Sequence, residues 1–196
     1  CNNKRAETMI IKLAVILSVL ISIGVAAKTE IKHNTKYYSV EVAEASELRS
    51  ALQQSTPIIR SGNKFYAQTR YAINWTYNAN VKNGFCKVGK PKVTAVIHTT
   101  LPKLESQNAA AIEKWEAWYT NLQAYQNKRQ QHAVDTAQRL DKKLKKLKRQ
   151  RHCDQLFKNA TVVADEIIED SLAEAVDYDE KTRYGYTEGA WSIFEN

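Results

Sequence analysis

His132 and Asp135 lie three residues apart, one turn beyond Arg129, in a stretch that begins Trp115-Glu-Ala-Trp-Tyr. An imidazole and a carboxylate at that spacing could ligate a metal, with His98 as a possible third donor. Scattered His and Asp on a helix are more often solvated, and His33 and His152 have no ligand-like spacing at all. The odder feature is Arg129. Trp115, Trp118, Leu122, Tyr125, Arg129, Ala133, Thr136 and Leu140 follow one another at intervals of three or four, which is one face of an amphipathic helix. That face is mostly apolar, so it packs on a core. A guanidinium on it needs a carboxylate or carbonyls to replace its lost water.

The elements that would position these groups can be read in order. Tyr37–Val42 alternates β-formers and predicts a strand; Ser46–Gln54 predicts a short helix capped by Ser46 and stopped before Pro57; Ser61-Gly62-Asn63 is a turn. Phe65–Tyr77 and Cys86–His98 predict an antiparallel hairpin turned by residues 78–84, with Thr69, Tyr71, Ile73, Trp75 and Tyr77 on one face and Leu101-Pro102 ending the sheet. From Ser106 the chain is helical, in two helices, to about Arg149 and from about Asp154 to Lys181. The second would pack through Leu156, Phe157, Ala160, Val163, Ala164, Ile167, Ile168, Leu172 and Val176. If these helices fold back about His152, Tyr125 falls near Asp179 and Arg129 near Ala175. The acids Glu174, Asp177, Asp179 and Glu180 then face the arginine. The fold class is α+β: a small antiparallel sheet of three or four strands with a short helix, packed against a long antiparallel helical hairpin. Residues 28–196 read as one domain, because no repeat and no Gly-, Ser- or Pro-rich linker divides them.

Residues 1–27 predict an address. A basic start and the apolar or small run Leu13–Ala27, closing in Val25-Ala26-Ala27, describe a secretory signal peptide, with an uncleaved anchor as the alternative. Residues 1–8 would lie upstream of the true start at Met9. The expected location is secreted or periplasmic. Lys4, Arg5 and Lys12 against Glu7 put a net +2 in that segment, leaving +6 of the formal +8 for residues 28–196. Cys86 and Cys153 remain beyond it, and two cysteines in an exported chain suggest one disulfide, against the alternative of two buried thiols. A bridge would close 66 intervening residues, stabilising by about 4 kcal/mol on the chain-entropy model.

The strongest charge feature is Lys142, Lys143, Lys145, Lys146, Lys148, Arg149 and Arg151, around Leu140, Leu144 and Leu147. It reads first as a solvated helix end, where cations suit the dipole, and second as a patch for an anionic surface or an acidic envelope partner. No nucleic acid is expected, because no reading motif accompanies the charge. A monomer is expected. A content of 43% hydrophobic and 9% aromatic residues excludes a disordered chain. Neither a Gly-rich phosphate loop nor a Ser/His/Asp arrangement is present.

The order and spacing of several pieces resemble a bacterial family of secreted zinc-dependent protease-like proteins, catalogued as domain of unknown function 922. The pieces are Tyr37-Tyr-Ser-Val, Glu47-Leu-Arg49, Gly62-Asn-Lys-Phe65, Thr69-Arg-Tyr71, Gly84-Phe-Cys-Lys-Val88, Leu101-Pro102, the Trp-rich helix, Cys153, Tyr178–Gly185 and Glu188-Gly-Ala190. The resemblance implies a zincin-like fold whose helix carries His-Glu-x-x-His, two imidazoles holding Zn²⁺ beside a glutamate that works on the bound water, with a C-terminal histidine as a further ligand. Here Tyr125 and Arg129 stand at the two helix histidines, Gln126 at the glutamate and Tyr184 at the C-terminal histidine. Phenols ionise near pH 10, guanidinium repels a dication, and an amide takes no proton from water. The reading is therefore a pseudoenzyme with no catalytic residue and no bound metal or other cofactor, serving as an envelope binding or scaffold protein. Two alternatives stand beside it: a metallohydrolase with non-standard ligands such as His132 and Asp135, and a stable fold with no specific role.

Overall fold

The computed structural model describes residues 29–191 and 193. The expected signal segment lies outside them, and so does Phe194. Seven strands and three α-helices are formed among the described residues: β1 (Glu30–Glu41), α1 (Leu48–Ser55), β2 (Ile58–Arg60), β3 (Asn63–Phe65), β4 (Gln68–Thr76), β5 (Ala79–Lys82), β6 (Phe85–Val88), β7 (Lys92–Glu105), α2 (Ala109–Lys145) and α3 (Cys153–Lys181). The class is α+β. The main sheet has the order β1-β7-β4, and β2-β3 and β5-β6 form two small hairpins.

β4 and β7 pair antiparallel, with Tyr71 opposite Ile97, as their alternation predicts. β1 joins the other edge of β7 in parallel, Tyr37 opposite Leu101, so the main sheet is mixed rather than wholly antiparallel. The crossover from β1 to β7 runs through every element between them, which no local pattern announces. Leu101-Pro102 does not end the sheet. β4 stops opposite Thr100, so β7 beyond it has a partner on one side only, and a proline lacking its N–H is tolerated there. Residues 78–84 are more than a turn; they hold β5 and the tip of its hairpin with β6. Ser46 is not the cap of the short helix. A 3-10 turn, Ala45–Glu47, precedes α1, and the Glu47 carboxylate accepts from the Ala43 and Glu44 N–H groups at 2.8 and 3.0 Å.

α2 is capped by Asn108, whose side chain accepts from the Ala111 N–H at 2.9 Å. Its inward face buries Trp115, Trp118, Leu122, Tyr125, Ala133, Thr136, Leu140 and Leu144. Two apolar clusters follow along it. Trp115–Tyr125 packs with Val40, Leu48, Leu52 and Leu101, and Ala133–Leu144 packs with Val93, Ala95, Ile97, Ala160 and Ala164. A fully buried Leu or Trp of this kind contributes about 2 kcal/mol. Between the clusters lies a polar layer containing Thr69, Thr99 and Gln126, all buried.

α3 returns antiparallel to α2. It buries Leu156, Ala160, Ala164, Ser171, Ala175 and Asp179, whereas Phe157, Leu172 and Val176 are more than half exposed. Leu156, Ala160 and Ala164 are on the expected face, but counting large apolar residues misplaces its later part, where the helices meet through small residues, the Ser171 hydroxyl against that of Thr136. The disulfide joins Cys86 to Cys153, with Cα atoms 5.3 Å apart. It ties β6 to the start of α3.

Candidate functional site

The polar layer opens into a small cleft of about 30 Å³, room for one water-sized group. Tyr125, Gln126, Arg129 and Tyr184 all line it. The first three sit on α2, Tyr125 and Gln126 side by side and Arg129 one turn further on. Tyr184 is delivered by the segment after α3, where Arg183, Tyr184 and Gly185 have φ of +49°, +56° and +89° and reverse the chain. Gly185 is required twice over: by that φ, and because a Cβ there would fall 2.9 Å from the Tyr125 ring. The segment is held down by the Trp118 indole N–H donating to the Ala190 carbonyl at 2.7 Å, and by Glu188, which accepts from Lys128 and Tyr178 at 2.6 Å each.

Asp179 is the centre of the cleft. One of its oxygens, Oδ1, accepts from the Tyr125 hydroxyl at 2.6 Å and pairs with the Arg129 guanidinium. The Arg129 and Asp179 side chains are 16% and 12% exposed, so this ion pair is nearly desolvated. The fold-back of the two helices about His152 does bring Tyr125 to Asp179, and Asp179 is the acid that meets Arg129. Glu174 instead pairs with Arg139 at 2.8 Å, and Asp177 with Lys181 at 2.7 Å. Burial, followed by the hydrogen bond to Asp179, pushes the Tyr125 phenol above its ordinary range. For Arg129, burial disfavours the charge, but Asp179 outweighs it and lifts the guanidinium above its usual value. Gln126 is tied into the sheet, its Oε1 accepting from the Thr69 hydroxyl at 2.9 Å.

Such a donor set does not fit zinc. The phenol is kept protonated, the guanidinium is cationic, the amide is bound elsewhere, and the one carboxylate is already shared between two partners. Among the described residues no three His, Cys, Asp or Glu side chains group so as to hold a metal. His132 lies with its ring 5.7 Å from that of Tyr178; Asp135 is exposed and accepts from Gln131 at 2.8 Å; His98 is exposed on β7, opposite Arg70. The fold does not bring these three together.

Two residues of the cleft are not among the site residues that the sequence suggests. Arg60 and Phe65 enter from the β2-β3 hairpin, the Arg60 guanidinium 5.4 Å above the Phe65 ring and the Phe65 ring 5.8 Å from that of Tyr184. Burial, and then the nearby Arg129, lower the Arg60 pKa. The Ser61-Gly62-Asn63 turn was the available hint, since the residues flanking a tight turn pair with each other.

The basic residues Lys142, Lys143, Lys145, Lys146, Lys148, Arg149 and Arg151 are all exposed. α2 ends at Lys145, so the run from Lys146 onward is the connection to α3 rather than more helix.

Residues 35–185, about three quarters of the chain, match the model of a family described as a bacterial protein of unknown function (DUF922). No curated protein and no solved structure matches the chain.

Proposed function

We propose, for a chain that belongs to the DUF922 family of bacterial proteins, a binding or scaffold role in the cell envelope on a protease-like frame that no longer cleaves peptides. The observation that supports this most is Asp179, whose carboxylate is shared by the Tyr125 phenol and the buried Arg129 guanidinium. A hydrolase of the resembled kind needs free metal ligands and a base that can take a proton from water. At the matching positions stand a phenol, a guanidinium and an amide, each satisfied within the fold. The positive charge that a dication would bring is carried by Arg129, and the carboxylate that would meet it is engaged.

What the cleft retains is recognition chemistry. Its mouth offers the Arg60 guanidinium and the edges of Phe65, Tyr184 and Trp191. Those groups suit a partner with an acidic or aromatic side chain. Export through the apolar segment before residue 28 would place that partner in the periplasm or outside the cell.

Metal analysis of the purified protein, paired with a casein-cleavage assay, tests the reading. Less than about a tenth of an equivalent of zinc and no cleavage are expected. Zinc near one equivalent together with cleavage overturns it in favour of a metallohydrolase built on other ligands, His132 and Asp135 first among them.

A further inference from the structure

Two basic segments far apart in sequence meet at the far end of the molecule. The Cys86 N–H donates to the Gln150 carbonyl at 2.7 Å, and the Gln150 N–H returns to the Cys86 carbonyl at 2.9 Å. The disulfide to Cys153 and the Arg149 guanidinium, 4.4 Å over the Phe85 ring, fasten the same junction. Lys82 and Lys87 of the β5-β6 hairpin therefore join Lys148, Arg149 and Arg151 of the helix connection. All five are exposed, and none forms an ion pair among the described residues.

The lysines farther back on α2 differ. Lys142, Lys143 and Lys146 line a recess with Glu166 and Asp170 of α3, and Lys145 pairs with Asp141 at 2.5 Å. Those lysines have acids of α3 lining the same recess, whereas residues 82–90 and 146–151 at the tip contain no Asp or Glu. At that tip Val81, next to Lys82, is 68% exposed.

The geometry points to the tip formed by the β5-β6 hairpin and the α2-α3 connection as a surface that docks on an anionic lipid bilayer, with its five cations among the headgroups and Val81 at the acyl boundary. Each Lys or Arg held near an anionic membrane tightens binding about fivefold, so five suffice for reversible attachment. A soluble polyanion would use the same cations but would have no use for Val81, and the exposed valine favours the bilayer. The surface is separate from the cleft around Asp179. It rests on the envelope reading only for the compartment in which the lipid is met.

Sedimentation of the full protein with phosphatidylcholine vesicles, with and without phosphatidylglycerol, tests the proposal. Binding is expected only with the anionic lipid. Joint Lys82→Gln and Lys87→Gln substitution should weaken it about thirtyfold. Val81→Asp should weaken it further, and joint Lys142→Gln, Lys143→Gln and Lys146→Gln substitution should change it less than the hairpin pair does. Three results each overturn the proposal: equal binding to neutral vesicles, full binding by the Lys82/Lys87 variant, or Val81→Asp binding as wild type while soluble polyphosphate displaces the vesicles. The last assigns the patch to a polymer. None of these readouts depends on zinc content, so a failure here and a failure of the non-catalytic reading are told apart.

Discussion

The middle of α2 and the connection past its C-terminal end carry cations under opposite rules. At Arg129 the guanidinium lies inside the packed layer, and a carboxylate 50 residues later in the chain is delivered to it. In the connection past Lys145, Lys148, Arg149 and Arg151 stand in water, and none forms an ion pair among the described residues. Water screens the second group at little cost, whereas the first would be untenable without Asp179. A buried charge therefore dictates tertiary structure around it, while an exposed one leaves its surface free to meet a partner.

Three experiments sharpen this contrast. The largest effect belongs to the tie that holds the exposed end together. Cys86→Ser should lower the unfolding free energy by about 4 kcal/mol in urea titrations, since the bridge spans 67 positions. A loss below about 1 kcal/mol would mean that the Cys86–Gln150 backbone pair holds the junction alone. Asp179→Ala comes next, leaving Arg129 without its partner in the layer, and a loss of about 3 kcal/mol is expected. The double variant Arg129→Met, Asp179→Leu should recover most of it, because it removes both charges. If it does not, packing rather than charge governs the site. The smallest effect is at the other end. Replacing Lys142, Lys143, Lys145 and Lys146 by Gln should leave stability within about 0.5 kcal/mol. A larger loss would show that the basic run braces the fold and would remove the distinction between the two regions.

Much of this was legible along the chain. The 3–4 spacing from Trp115 to Leu140 located α2 and its buried face, the period-2 alternation gave the core face of β4, and folding back about His152 placed Tyr125 beside Asp179. The two cysteines named their own partner. Other features were hidden for identifiable reasons. β1 pairs in parallel with a strand more than 60 residues away, and nothing local records such a partner. Past Ala164 the inward face of α3 is Ser171, Ala175 and Asp179, which a search for large apolar residues passes over. Arg60 reaches the cleft from a three-residue strand too short to carry a pattern of its own.

By itself the sequence determined that an arginine would lie on a core-facing helix, that it would need a carboxylate or carbonyls beside it, and that the basic residues from Lys142 to Arg151 would be exposed. These follow from local periodicity and from the energy of removing charge from water. Only the tertiary structure decided which acid answered, that the same carboxylate would also hold Tyr125, and that a hairpin with its own lysines would join the basic end. Those outcomes depend on how distant segments cross, and packing between elements fixes that crossing.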